Sequence, residues 1–238
     1  MALYRFAGLY FEMNPHFDRI KRQAEKYLYK GDVIPDEIFD IDIPYERVVR
    51  NSVHYPGLTY EECEYLGSGH RFACRLLSKD GFVLHSSAVA YDGNAYLFSA
   101  DPGVGKSTHT KFWQECFGED KAVIINDDKP AVREFDGVFC ASGTPFSGKY
   151  DISADVTVPV KAVCFIHRSD ECEIRRLEPS EALGLIIRQI INPDEEEALD
   201  TLFKTLDRFL AKVPVYSLGV KLSPESARFA YSELSKQA

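Results

Sequence analysis

Ala95-Tyr96-Leu97-Phe98-Ser99-Ala100-Asp101-Pro102-Gly103-Val104-Gly105-Lys106-Ser107-Thr108 is the stretch on which the reading of this 238-residue chain turns. Its apolar start predicts a strand, Ala100 to Ser107 a phosphate-binding loop, and Thr108 to Cys116 a helix. Gly103 and Gly105 let the backbone curl so that its N–H groups point inward. Lys106 reaches the outer phosphates, Ser107 can join a magnesium shell, and the helix adds its positive end. Ala100 stands where the common pattern has its first glycine. Asp101, Pro102, Gly103, Val104, Gly105, Lys106, Ser107 and Thr108 are therefore the candidate nucleotide-binding set, with ATP and Mg2+ as the expected cofactors.

Composition sets bounds around this loop. The length suits one large domain with a modest extension. A net charge of −9 argues against a general nucleic-acid or anionic-membrane binder. The six cysteines show no Cys-x-x-Cys pair and no zinc-like spacing, so they read as small buried hydrophobes. That predicts a reducing, cytoplasmic location. No apolar run reaches membrane-spanning length, and the start lacks the layout of a signal peptide.

Upstream of the loop, residues 3–13 predict an opening strand and residues 17–29 a helix. Thr59 and Glu62 form a capping-box signature, with helix expected on either side of a Gly67-Ser68-Gly69 break. Phe82 to Ala90, the Asp92-Gly93 turn and Ala95 to Phe98 predict a hairpin feeding the loop. Downstream, Ala122 to Ile125 reads as a strand buried on both faces, and Val138 to Ala141 and Ala162 to His167 as further strands. Helices capped by Ser180, opened by Asp194 and started at Ser223-Pro224 follow, with a near-edge strand at Val213 to Leu218.

Asp127-Asp128 ends the first of these strands. Phosphoryl transfer needs a carboxylate to hold metal and can use another to take the acceptor's proton. Neighbouring side chains on an extended backbone point to opposite sides, so one aspartate can face metal and the other the acceptor. His85 starts the strand whose hairpin partner delivers the loop. The segment Gly143-Thr144-Pro145-Phe146-Ser147-Gly148-Lys149 is loop chemistry, and Lys149 is either a cation for the transferring phosphoryl group or a surface lysine.

His85, a hairpin, the loop ending Gly105-Lys106-Ser107 and an apolar strand ending Asp127-Asp128 form an order that resembles the catalytic domain of the HPr kinase/phosphorylase family, itself akin to phosphoenolpyruvate carboxykinase. The resemblance covers residues 81–130 and, more loosely, the chain to about 168. It implies that Lys106 binds the β- and γ-phosphates, that Ser107 and one aspartate hold magnesium while the other is the base, with Asp128 taken for metal and Asp127 for base though the order is open, and that His85 lies near the transferred phosphate. It also implies an acceptor of serine type, as a small molecule, peptide or protein, and is compatible with an oligomer.

The expected fold is α/β, a mixed twisted sheet with a P-loop, comprising an N-terminal extension (1–70) and an ATP-binding domain (71–238). An ATP-dependent kinase acting on a hydroxyl is the leading expectation. Its rival is a non-catalytic nucleotide-binding module that organises a partner protein. Retention of Lys106, Asp127 and Asp128 together favours the enzyme, since a pure binder needs no base.

Overall fold

A computed structural model describes residues 2–193 and 196–236. In the N-terminal part, β1 (Ala2–Phe6) and β2 (Leu9–Met13) pair antiparallel, and β3 (Phe39–Asp40) adds parallel to β2. One strand was expected here. Ala7 and Gly8, at φ 51° and 69°, instead fold the run into a tight hairpin. Helices α1 (Asp18–Ala24), α2 (Tyr45–His54) and α3 (Tyr60–Leu77) complete this region.

The Thr59–Glu62 capping box is present at the start of α3, but the helix runs unbroken through Gly67 and Gly69. Packing explains the glycines better than a break does. A Cβ on Gly67 would lie 2.5 Å from Ile43, and one on Gly69 would lie 3.2 Å from Phe146. The helix needs both positions small to let its neighbours approach. Phe6, Phe11, Ile20, Phe72, Leu76, Val83 and Phe146 form one buried cluster, which joins α3 to strands and loops far downstream.

The remaining elements are β4 (Gly81–Val83), β5 (Ser87–Tyr91), β6 (Asn94–Ser99), α4 (Lys106–Phe117), β7 (Val123–Asn126), β8 (Ala131–Phe135), β9 (Val138–Ser142) and β10 (Thr157–Arg168). After them come β11 (Glu173–Arg176), α5 (Pro179–Ile187), α6 (Glu196–Lys212), β12 (Val215–Val220) and α7 (Pro224–Ser235). The nine strands from β4 on form one mixed sheet in the order β4-β8-β9-β10-β6-β5-β7, with β12 on β10 and β11 on β12. Strand β10 carries the curl. Its first residues pair antiparallel with β9, and its last six pair parallel with β12, beside β6.

Alternation along β6 divides the core into two layers. Tyr96 and Phe98 face Trp113 of α4 and Ala227 and Ala230 of α7, whereas Ala95 and Leu97 face Ile186 of α5 and Leu202, Leu206 and Phe209 of α6. Each such large side chain, fully buried, contributes about 1.5–3 kcal/mol.

Three expectations need correction. The predicted strand Phe82 to Ala90 is two strands, because β4 pairs with β8 while β5 pairs with β6 and β7, and the chain changes partners at Leu84-His85-Ser86. Helix α5 is capped by Glu178 with Glu181 rather than by Ser180. Strand β12 lies between β10 and β11, not at an edge, since Pro214 precedes the ladder and only its carbonyl is used, accepting from Val163 N–H. Asp194 lies outside the described residues.

This topology prepares one edge. Strands β6, β7, β10 and β12 run in the same direction, and β5 runs against them. The residues after β6 and β7, the end of β10 and the start of β5 therefore meet at the carboxyl edge of the sheet, the usual ligand crevice of α/β proteins. Among the described residues no helix is long and apolar enough to cross a membrane.

Candidate active site

At that edge the loop between β6 and α4 turns through Gly103 (φ 82°) and Gly105 (φ 124°), both left-handed. A side chain is strained at these angles, so glycine is required. Gly105 is the N-cap of α4, and the first N–H groups of the helix have no acceptor within it. Lys106 is buried and folds back, its Nζ donating to the Ala100 carbonyl at 2.8 Å. Burial lowers its pKa, and the charges of Asp128, Asp101 and Asp127 work against that. Arg168, at the end of β10, donates to the carbonyls of Gly103 (3.0 Å) and Val104 (3.3 Å), fixing the outer side of the turn.

The aspartate pair is held by its neighbours. Asn126 Oδ1 accepts from the N–H groups of Asp128 (2.9 Å) and Lys129 (2.7 Å), while its amide nitrogen donates to Thr144. Thr144 Oγ1 in turn donates to the Lys129 carbonyl. This Asx turn aims the two carboxylates apart.

Asp127 faces the loop. Its Oδ1 accepts from Ser87 Oγ at 2.5 Å, and Ser87 shares a 2.7 Å hydrogen bond with Thr110 of α4. Burial raises its pKa, and the Ser87 and Ser107 hydroxyls and the Lys111 charge oppose the rise.

Asp128 faces away, toward charge. Its Oδ2 lies 2.5 Å from Lys129 Nζ and its Oδ1 lies 3.5 Å from His85 Nε2. Gln189 reaches both His85 and the loop. Its amide nitrogen approaches Asp101 Oδ1 at 3.3 Å, so its Oε1 faces His85 Nδ1 at 3.0 Å. His85 thus stands between two acceptors, the Gln189 amide oxygen at Nδ1 and the Asp128 carboxylate at Nε2. His85 is held neutral: burial lowers its pKa first and the Lys106 charge second, against the opposing pull of Asp128 and Gln189.

The N-terminal region supplies a wall of the site. Gly148, at φ 75°, sits against Asp128, where an added Cβ would lie 3.1 Å from that side chain. Its N–H donates to Tyr65 Oη (2.9 Å), and its carbonyl accepts from Gln23 (2.8 Å) and Arg19 (3.0 Å). The Arg19 guanidinium lies 3.7 Å above the Tyr65 ring. Burial, then the Asp128 charge, pushes the Tyr65 phenol up to about 12, so it stays protonated.

The structure thus brings Lys106, Ser107, Asp127, Asp128 and His85 together. Asp101, Pro102, Gly103 and Thr108 are exposed along the loop, and Val104 is half-buried. Lys149 is carried to the site by Gly148, but it is exposed and its ammonium lies over the Tyr150 ring. Ser87, Asn126, Gln189, Tyr65 and Arg19 were not singled out from sequence. Only Asn126, before two aspartates at a strand end, carried a local signal, that of an Asx turn. His109 is buried under Phe98 and accepts from Trp113 Nε1. Among the described residues no three His, Cys, Asp or Glu side chains converge as a metal cluster.

No family model matches the chain, and no curated protein does. Among solved structures, the Hpr(Ser) kinase/phosphatase from Coxiella burnetii is similar over 66% of this chain and 99% of that one, with a TM-score of 0.39 and 10% identity. By its own elements the chain is a mixed α/β protein with a curled mixed sheet.

Proposed function

We propose that the protein is an ATP-dependent phosphotransferase that moves a γ-phosphoryl group to a hydroxyl of serine type. The observation that carries this is the pair of adjacent carboxylates after β7, held in unlike surroundings beside a glycine-turned loop. A nucleotide-binding module needs the loop but not the second carboxylate with its histidine.

In this proposal the loop N–H groups and Lys106 bind phosphate oxygens. The hard oxygen donors Ser107 and Asp127 suit Mg2+, which takes its other ligands from phosphates and water and neutralises charge there when bound. Asp127 faces the loop, held by Ser87 and with the Ser107 hydroxyl near enough to lower its pKa, which favours it as the metal-side carboxylate. This reverses the order taken with the sequence resemblance, which gave metal to Asp128 and the base to Asp127.

Asp128 is then the base. It takes the acceptor's hydroxyl proton, and the freed oxygen bonds to phosphorus as the bond to ADP breaks. His85, with Nε2 3.5 Å from Asp128 and Nδ1 on Gln189, can share that proton as a neutral imidazole. A transfer assay with labelled γ-phosphate, run against hydroxyl compounds and serine peptides with the unmodified protein and Asp128→Asn, tests this. Label transfer lost in the variant supports it. Nucleotide binding with neither transfer nor hydrolysis would favour the binding module.

A further inference from the structure

A cavity of about 270 Å3 opens beside Asp128, walled by Val83, Ile190 and Ile191 on one side and by Lys129 and Arg188 on the other. Its charges do not balance. Asp128 is the one carboxylate in the wall, and Lys129 Nζ already lies 2.5 Å from it. Arg188 follows the last residue of α5, where the carbonyl end of a helix favours a cation; it is exposed, and its guanidinium forms no ion pair or hydrogen bond among the described residues, so it is free to meet a ligand at the cavity mouth. Val83 and Ile190 are buried, so their part of the cavity wall is apolar. The space is smaller than the roughly 300–1,000 Å3 of pockets that take drug-sized ligands.

Resting on the phosphotransferase reading above, we infer that the acceptor is a small anionic alcohol, with its hydroxyl at Asp128 and a carboxylate or phosphate group on Arg188. A guanidinium matches either anion through paired N–H donors, a contact that a neutral alcohol lacks. The apolar wall then covers the short carbon chain between the two groups.

Calorimetry on the full chain, loaded with Mg2+ and a non-hydrolysable ATP analogue, tests the inference with glycerate, glycerol 3-phosphate, glycerol and an uncharged serine peptide as probes. At least one anionic alcohol should bind about tenfold or more tightly than glycerol. Arg188→Gln should erase that preference and Arg188→Lys should keep part of it, with affinity for the analogue unchanged in both. Equal binding of glycerol, a preference that survives Arg188→Gln, or binding of the peptide alone would overturn the inference while leaving the phosphotransferase reading intact. Failure of the unmodified protein to bind the analogue would instead remove that reading, before any acceptor is added.

Discussion

Asp127 and Asp128 are neighbours in sequence and occupy opposite worlds. Asp127 is set among neutral hydroxyls, those of Ser87 and Ser107, and burial raises its pKa. Asp128 sits among a lysine, a histidine and a tyrosine beside an open cavity. A carboxylate without a cation in its first contacts is poised to receive one. A carboxylate with an ammonium, a neutral imidazole and room for an alcohol is poised to handle a proton. On the phosphotransferase proposal, one strand end would serve two chemistries because the sheet places different neighbours on its two sides.

The largest effect that tests this contrast is on turnover. Asp128→Asn keeps size but takes no proton, so kcat in the transfer assay should fall by about two orders of magnitude or more while ATP affinity holds. A kcat within threefold or so of the unmodified protein would remove Asp128 from the chemistry.

Lys106→Ala comes next. Losing one charge-assisted phosphate contact should weaken ATP binding by roughly 10- to 100-fold, read by calorimetry. Equal affinity in the two proteins would end the phosphate-loop assignment. Tyr65→Phe should have a smaller effect. It removes the acceptor of the Gly148 N–H, which positions the backbone against Asp128, and should raise the acceptor KM about fivefold with ATP affinity unchanged. A shift in ATP affinity instead would place the N-terminal wall on the nucleotide side.

The smallest effect concerns stability without nucleotide. Burial raises the Asp127 pKa above 3.8, so the folded state holds that proton more firmly than the unfolded one. Stability is therefore lost as pH rises through the raised value and stays lower at neutral pH. Asp127→Asn should recover it, raising Tm at pH 7 by about 2 °C, and the gain should vanish below pH 3.8. A lower Tm for the variant at pH 7 would mean that the Ser87 and Ser107 hydroxyls outweigh burial.

Local features of this site were legible in sequence and distant ones were not. Gly103 and Gly105, the capping residues of α3 and the acids at the end of β7 announce themselves because turn angles, caps and buried charges are properties of a few adjacent residues. Two sides for the aspartates followed from strand geometry, but not which side was which. That depends on Ser87, 40 residues from Asp127 and placed beside it by the antiparallel pairing of β5 with β7. Tyr65 meets Gly148 across 83 residues, and Gln189 meets His85 across 104. Nothing in either segment alone predicts the encounter, since sheet order and the packing of α3 decide it. The glycines of α3 mislead for the same reason: their purpose is close contact with Ile43 and Phe146, which local propensity does not contain.

The division of labour between the two carboxylates is tested most directly by the magnesium dependence of ATP affinity in Asp127→Asn and Asp128→Asn, titrated side by side with the unmodified protein. The account predicts that magnesium tightens ATP binding in the unmodified protein and in Asp128→Asn, and that Asp127→Asn loses most of this gain while still binding metal-free ATP. Loss of the magnesium effect in Asp128→Asn, with Asp127→Asn unaffected, would contradict it and return the metal to Asp128.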